Sequence, residues 1–259
     1  MSASLGRVTF LGTGTSHGVP MIGCRCATCT STDPRDQRLR PAIYVELENG
    51  GAFVVDTPPD FRTQALRFGV LRVDAVVFTH PHADHLLGLD EIRRFNALQR
   101  AVIPCYGNAE TIVEIRRVFA YAFEPRQAGG GGPQLELRRV AGPFDVAGTT
   151  VTPVPVLHGE LPIHGYRVGT FAYLTDCSAI PDASWPLLEG VRTLVVGALR
   201  HTPHPTHFTV AQALDVIARV RPERALLTHI AHDLGHAATS ADLPRGVELA
   251  YDGLIVGID

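Results

Sequence analysis

A short apolar run, Ala75 to Phe78, leads directly into a polar loop with three histidines and an aspartate. The β-branched residues of the run predict a buried strand. Imidazole and carboxylate groups are ligands suited to Zn²⁺ and similar divalent metals. Such a concentration of ligand groups after a buried strand is hard to reconcile with an ordinary solvated loop, so we predict a metal site here. The four candidate ligands are His80, His82, Asp84 and His85.

Three later apolar runs also end in a residue that can bind a metal. The run from Val154 ends at His158, the run from Tyr173 ends at Asp176, and the run from Ala225 ends at His229. A lone buried histidine or aspartate is more often structural than catalytic. Together with the histidine-rich loop, however, these residues form a set that favours metal binding.

Further elements are indicated by hydrophobic periodicity. The other predicted strands are Val8 to Leu11, Ile43 to Leu47, Phe53 to Asp56, Thr150 to Val156, Phe171 to Thr175, Thr193 to Gly197 and Ala225 to Thr228. The spacing of Val210, Ala213, Leu214, Ile217 and Val220 predicts a helix with one buried face. Thr209 is its expected N-cap, and Pro222 lies just beyond its end.

The set of strand-end ligands, in this order, resembles the metallo-β-lactamase superfamily. The resemblance implies an α/β fold, a four-layer αββα sandwich, with two divalent ions in the active site. It implies His80, His82 and His158 on the first metal, Asp84, His85 and His229 on the second, and Asp176 bridging both. Asp56 matches the residue that supports the histidine loop without binding metal.

We expect a single domain, residues 1–259, because each half alone would carry an incomplete metal site. The glycine-rich segment Ala128 to Pro133 could be a linker between domains, but we interpret it as a connection within one domain.

Three cysteines, Cys24, Cys26 and Cys29, lie within six residues after the first strand. Three thiolates this close suit tetrahedral Zn²⁺ with one ligand from elsewhere. A redox pair is the competing interpretation, and it leaves the third cysteine unexplained. Cys105 and Cys177 lie beside apolar runs and are expected to be buried free thiols.

The segment Gly12 to Pro20, followed by Cys-x-Cys-x-x-Cys, is similar to one branch of the superfamily, the phosphoribosyl cyclic phosphate phosphodiesterases. This similarity implies that His232, three residues after His229, is the fourth zinc ligand. The zinc would then join the N-terminal loop to the C-terminal half and contribute to folding stability.

Two divalent ions in the active site would lower the pKa of a water molecule that they share and would supply hydroxide near neutral pH. Asp84 would orient this nucleophile toward phosphorus. The resemblance also implies a histidine before a helix as the proton donor, for which His207 is the best match and His204 the second. Arg62, Arg93 and Arg200 are weaker candidates for binding phosphate.

The leading hypothesis is a dinuclear metal-dependent phosphodiesterase, with metal-bridged hydroxide attacking a cyclic phosphodiester such as phosphoribosyl 1,2-cyclic phosphate. One alternative is a ribonuclease Z-like tRNA-processing endonuclease, although the segment around Gly129 to Gly132 is short for an RNA-gripping insertion and lacks lysine. Others are a cofactor-biosynthesis protein of the pyrroloquinoline quinone type, a thioester or lactam hydrolase, and a non-catalytic binding module. The complete set of metal ligands argues against a non-catalytic binding module.

The overall composition and charge limit the classes of molecule that this protein is expected to bind. The net charge of −3 over 259 residues gives no basic field for a long polyanion, so a small-molecule phosphodiester is expected rather than nucleic acid. No secretory signal or membrane-spanning run is visible, and five cysteines do not fit a fully paired disulfide framework. We expect a cytoplasmic protein, and the resemblance implies a homodimer. Histidine and carboxylate serve both Zn²⁺ and Mn²⁺, which leaves the active-site metal open.

Overall fold

A computed structural model describes residues 4–124 and 131–259. Its strands form two seven-stranded sheets. The first sheet contains β1 (Gly6–Gly12), β2 (Ala42–Leu47), β3 (Ala52–Val55), β4 (Ala75–Val77), β5 (Ile103–Gly107) and β6 (Leu135–Arg139), and β14 (Ile255–Ile258) pairs with the outer side of β1. The second contains β7 (Phe144–Val146), β8 (Thr149–His158), β9 (Leu161–Val168), β10 (Phe171–Leu174), β11 (Thr193–Gly197), β12 (Arg224–Thr228) and β13 (Val247–Leu249), in reverse spatial order.

Each sheet combines an antiparallel part with a parallel part. In the first sheet β14, β1, β2 and β3 pair antiparallel, whereas β3 to β6 are parallel. In the second, β7 to β10 pair antiparallel and β10 to β13 are parallel. The parallel parts require crossover connections, and most of the helices lie in these connections.

The described residues contain six α-helices: α1 (Phe61–Phe68), α2 (Ala83–Leu86), α3 (Ile92–Gln99), α4 (Ala109–Val118), α5 (Val210–Val220) and α6 (His236–Asp242). Short 3₁₀ helices occur at Pro34–Asp36, Leu89–Glu91, Ala120–Ala122 and Asp182–Leu188. Within the described ranges, no helix is long and apolar enough to cross a bilayer.

Three apolar clusters define the layers. The central cluster contains Phe10 and Phe53 from the first sheet and Tyr173 and Leu226 from the second. A second cluster packs the outer face of the first sheet against α1, α3 and α4, and a third packs the second sheet against α5. The α/β class and the predicted four-layer αββα arrangement are therefore confirmed.

The predicted strands are all present, with small changes at their ends. β3 stops at Val55 because Asp56 adopts a left-handed φ of 67°. β8 extends to His158, beyond the predicted Val156. α5 begins and ends as predicted, and Thr209 forms a full capping box with Gln212. Residues 128–130 of the predicted glycine-rich connection lie outside the described residues.

Candidate metal centre

The histidines and aspartates singled out in the sequence converge at one end of the two sheets. His80 follows β4, and His158 is the last residue of β8. Asp176 and His229 follow β10 and β12. β10 and β12 are parallel strands of the second sheet, whereas β8 pairs antiparallel and β4 belongs to the first sheet, so the packing of the two sheets brings these strand ends together.

One group of ligand atoms comes from His80, His82 and His158, whose ligand nitrogens lie within 4.8 Å of one another. The ring centroids of His80 and His82 are 4.6 Å apart, and those of His82 and His158 are 5.0 Å apart. His80 and His158 are buried, whereas His82 is exposed at the mouth of the site. This is the trio predicted for the first metal.

The residues predicted for the second metal surround Asp176. Its Oδ2 lies 3.2 Å from Nε2 of His85 and 3.0 Å from Nδ1 of His229. Asp84 Oδ2 lies 3.5 Å from the same His85 nitrogen. Asp176 belongs to three of the ligand-atom groups, one with His80 and His85, one with Asp84 and His229, and one with His158 and His207. This central position is the one expected of a bridging carboxylate.

Hydrogen bonds fix which ring nitrogen faces the centre. His85 Nδ1 donates to Asp56 Oδ2 over 2.7 Å, and His158 Nδ1 donates to the Thr206 carbonyl over 2.8 Å. The Thr79 hydroxyl donates to Asp56 Oδ2 and therefore accepts from His80 Nδ1, 3.0 Å away. In these neutral tautomers, the Nε2 atoms carry lone pairs, as metal ligation requires.

Three buried ring nitrogens support a cation site at this position. His80 Nε2, His85 Nε2 and His229 Nδ1 make no hydrogen bond within the described part of the chain, because the short contacts of the last two with Asp176 lack hydrogen-bond geometry. An unpartnered buried polar group costs about 1–3 kcal/mol, so several together require an explanation. Imidazole lone pairs beside the Asp84 and Asp176 carboxylates fit divalent metal ions in their donor chemistry.

Several supporting residues were not identified from sequence. Thr15 Oγ1 lies 3.2 Å from His229 Nε2, across 214 positions of sequence. Thr175 Oγ1 donates to Asp176 Oδ2 over 2.6 Å, and the Thr206 carbonyl orients His158. Threonines in loops give no periodic signal, and their partners are distant in sequence. Only the strand-to-loop position of Thr175, beside Asp176, could have indicated its role.

The pKa values of the residues at this site depend on their burial and on the opposite charges beside them. Burial disfavours the charged form of His85, but the carboxylates of Asp176, Asp84 and Asp56 outweigh it and raise its pKa well above the usual value, so a metal ion would bind there by displacing the proton on Nε2. Burial likewise opposes ionisation of Asp176, and the neighbouring His229 and His85 hold its pKa well below the usual range. Both carboxylates facing the centre therefore stay ionised and attract cations.

Backbone strain is concentrated at the same place. Asp56, Asp176 and His229 adopt φ values of 67°, 55° and 56°, in the left-handed region that favours glycine. They are three of six non-glycine residues with positive φ among the described residues. Such conformations cost about 1–3 kcal/mol each and persist at functional sites when the surroundings hold them. Each of the three residues lies just after the end of a strand, where this backbone conformation changes the direction of the chain.

His207 lies closer to the centre than His204. Its Nδ1 is 3.8 Å from Asp176 Oδ1, and its ring stacks on His229 with centroids 4.8 Å apart. Burial, followed by the neighbouring His229, lowers the pKa of His207 to about 3. His204 lies behind it, with ring centroids 5.0 Å apart. The structure thus places the predicted proton donor beside the candidate metal ligands.

The cysteine loop meets His232 to form a second cluster. Cys24 Sγ and Cys26 Sγ each lie 3.3 Å from His232 Nδ1, and the ligand atoms of all four residues lie within 4.8 Å of one another. The Cys29 amide N–H donates to Cys26 Sγ, which with His232 lowers the pKa of that thiol to about 6. All five cysteines carry free thiols, so a Cys₃His arrangement suited to zinc is present.

Cys105 and Cys177 are buried, as expected from the apolar runs beside them, and neither belongs to the cysteine cluster, although Cys177 directly follows Asp176. Burial raises the pKa of the Cys177 thiol to about 12 and that of Cys105 still further, which keeps both protonated and inert.

The fold and the strand-end ligands define a class of protein. The family model described as the beta-lactamase superfamily domain matches residues 52–230, from the strand before Asp56 to just beyond His229. This chain belongs to the beta-lactamase superfamily.

Within that superfamily the chain is similar to a diphosphatase from the PhnP family, whose crystal structure superposes with a TM-score of 0.91. The two share 46% sequence identity, over 98% of this chain and 97% of the other. The chain is also 37% identical, over 257 residues, to an octanoyltransferase from Porphyromonas gingivalis. That match covers 98% of this chain but only 52% of the relative, so the chain spans about half of that protein. Coenzyme PQQ synthesis protein B from Methylobacterium radiotolerans is 30% identical, over 73% of this chain and 71% of the relative.

Proposed function

We propose that this chain is a dinuclear metal-dependent hydrolase of phosphodiester bonds. The observation that carries the proposal is the pair of ligand sets that share Asp176. His80, His82 and His158 would hold one ion, and Asp84, His85 and His229 the other. Two ions bound there would activate water near neutral pH and neutralise the charge of a phosphate group.

Side chains at the rim of the cluster have roles beyond metal binding. The Asp84 carboxylate, kept ionised by His85, would accept a proton from the attacking water and orient it. His207 lies beside Asp176 and stacks on His229, within reach of a substrate held at the centre. We assign it to hydrogen bonding at the leaving oxygen and, once the charge of a bound phosphate raises its low pKa, to proton donation there, with His204 behind it.

A cyclic phosphodiester, such as phosphoribosyl 1,2-cyclic phosphate, is the substrate that we propose. It is supported by the similarity of the Gly12–Cys29 region to cyclic phosphate phosphodiesterases. The PhnP-family relative is a diphosphatase, which also cleaves a bond from phosphorus to oxygen. A structural zinc on Cys24, Cys26, Cys29 and His232 completes the proposal.

We further propose that residues 1–259 form one domain, because the central apolar cluster combines strands from both halves of the chain. The cytoplasmic location and the homodimer expected from sequence stay predictions.

Two relatives favour different second functions. The Porphyromonas gingivalis relative is an octanoyltransferase, a protein named for the transfer of an acyl group. Metal-activated water can also attack a thioester carbonyl, so thioester hydrolysis is the second candidate function. The coenzyme PQQ relative keeps the pyrroloquinoline quinone alternative open. The net charge of −3 continues to disfavour a transfer RNA substrate.

The test compares substrates on one preparation loaded with Mn²⁺ or Zn²⁺. Bis(p-nitrophenyl) phosphate, ribose 1,2-cyclic phosphate, transfer RNA precursor and an octanoyl thioester are assayed beside an Asp84→Asn variant. We expect hydrolysis of the diesters with the cyclic one preferred, and a loss of at least 100-fold in the variant, about the contribution of a general base.

Asp90→Asn is the matched control, because Asp90 is a nearby surface carboxylate that pairs with Arg93 outside the cluster. It should retain full activity. Hydrolysis of the thioester alone, or diester hydrolysis that survives in Asp84→Asn, would contradict the proposal.

A further inference from the structure

The helices α1 and α3 form one continuous surface on the outer side of the first sheet. The rings of Phe61 and Phe95 lie 6.1 Å apart beneath it. The Gln99 side chain accepts from the Val73 amide over 2.8 Å and donates to the Val73 carbonyl over 3.0 Å, which fixes the loop after α1 to the end of α3. The surface, which we call the α1–α3 face, consists of residues 61–73 and 92–102.

The two helices expose their side chains at the same spacing. In α1 the exposed positions are 62, 63, 66 and 67, and in α3 they are 93, 94, 97 and 98. Two adjacent positions, followed by two more one turn later, lie on a single outward stripe of a helix. Phe61 and Phe95 are buried on the opposite stripe, against the sheet.

Exposed apolar side chains are concentrated on this face. Nine large apolar side chains are exposed among the described residues, and four of them lie here: Leu66, Leu71, Leu98 and Val102. Leu71 and Leu98 are close in sequence to Val73 and Gln99, whose hydrogen bonds join the two helices. The four side chains therefore belong to one patch, and such patches mark binding surfaces.

The same face carries arginine and no carboxylate. Its two stretches contain six of the 23 basic residues of the chain and none of the 26 acidic residues. Arg72 and Arg93 pair with Asp74 and Asp90, which flank the face. The other four make no ion pair among the described residues: Arg62, Arg67, Arg94 and Arg100. The face is therefore positively charged, although the whole chain has a net charge of −3.

An anionic lipid surface satisfies both properties of the α1–α3 face. Lipid phosphates would pair with the guanidinium groups, and the leucines would enter the boundary between headgroups and acyl chains. A second copy of the chain would instead place arginines against arginines, with no carboxylate in either face. A nucleic acid would complement the charge but would leave the leucines without an apolar partner.

We propose that the α1–α3 face binds peripherally to an anionic membrane surface. Leu71 lies before the start of β4, whereas His80 lies beyond its end, so the lipid would contact the end of the sheet away from the catalytic cluster. Each unpaired arginine near such a surface strengthens binding roughly fivefold, so the four together give a weak association that salt reverses. The inference is independent of the reaction that the chain catalyses.

Co-sedimentation of the protein with vesicles tests the proposal. Vesicles of equal parts phosphatidylglycerol and phosphatidylcholine are compared with phosphatidylcholine alone, at about 0.05 M and about 0.5 M salt. We expect binding to the anionic vesicles only, and its loss at the higher salt concentration. Arg94→Gln combined with Arg100→Gln should lower the affinity about 30-fold. Arg221→Gln combined with Arg245→Gln removes the same charge from exposed positions outside the face and should bind like wild type.

Leu71→Ser combined with Leu98→Ser tests the apolar contribution. We expect the affinity to fall about tenfold with an unchanged dependence on salt, because the charges remain. The unfolding temperature of each variant, which should match that of wild type, shows that the fold is intact. Equal binding to neutral and anionic vesicles, or wild-type binding by the Arg94 and Arg100 variant, would overturn the proposal. A wild-type dimer that the leucine variant abolishes would also overturn it, because a second copy would then cover the face.

Discussion

Oδ2 of Asp56 lies 2.7 Å from Nδ1 of His85, with both side chains fully buried. The same carboxylate accepts from the Thr79 amide and hydroxyl, so one aspartate orients His85 directly and His80 through Thr79. Asp56 thus controls one ligand from each of the two proposed metal sets.

Asp56→Asn should weaken metal binding without removing a ligand. The amide would present N–H to His85 Nδ1, which forces the proton onto Nε2, the atom needed for the metal. We expect metal affinity to fall by about 10–100-fold, measured by competition with a chelator of known affinity. Asp74→Asn, a carboxylate paired with Arg72 outside the cluster, is the control. Equal affinities in all three proteins would contradict this role.

Cys29→Ser should remove the metal of the cysteine cluster. Cys29 is the most buried of the three thiols, and the Met21 amide donates to its sulfur over 3.4 Å. We expect zinc content to drop by one ion per chain and the unfolding temperature to fall, since structural zinc contributes directly to folding. Cys105→Ala, at a buried thiol outside the cluster, should keep its zinc. Unchanged zinc content in Cys29→Ser, or a disulfide between Cys24 and Cys26 in wild type, would favour the redox interpretation.

Arg38→Met should destabilise the protein strongly. The Arg38 side chain is 0% exposed and donates to Asp36 and to the carbonyls of Ala231 and Leu234 on either side of His232. Removing one partner of a buried pair costs about 3–5 kcal/mol because a buried charge loses its compensation. The measurement is the free energy of unfolding in urea.

The comparison for Arg38 is Arg40→Met, whose ion pair with Asp60 is partly exposed and should contribute about 1 kcal/mol or less. If the two variants lose the same stability, the Arg38 contacts do not hold the His232 segment as proposed.

Thr209→Ala should destabilise α5, which begins three residues after His207. The Thr209 hydroxyl accepts from the Gln212 amide over 3.2 Å, and the loss of such a cap costs about 1 kcal/mol. Urea unfolding should show this loss in Thr209→Ala and little of it in Thr209→Ser, which keeps the hydroxyl. A full loss in the serine variant would mean that the methyl group, rather than the cap, stabilises the helix.

The candidate ligands could be predicted because they follow apolar, β-branched runs, and the four layers could be predicted because the order of those ligands resembles the superfamily. The prediction missed six strands of the described residues, β5, β6, β7, β9, β13 and β14. The longest of them, β9, includes Pro162 and Gly165, which are poor strand formers. It forms because eight residues pair with β8, and tertiary pairing outweighs local preference. The contact of Thr15 with His229 was hidden for a related reason: it depends on the register between two loops, which the sequence pattern does not encode.

The most direct test of the central claim counts metal ions and activity on the same sample. Elemental analysis of wild type is paired with the rate of bis(p-nitrophenyl) phosphate hydrolysis as a chelator removes ions stepwise. We predict three ions per chain. Two of them should be lost together with activity in His229→Ala, and the chelator should remove the same two from wild type before the zinc of the cysteine cluster. A single ion per chain that disappears in Cys29→Ser, with diester hydrolysis unchanged, would contradict a dinuclear catalytic centre.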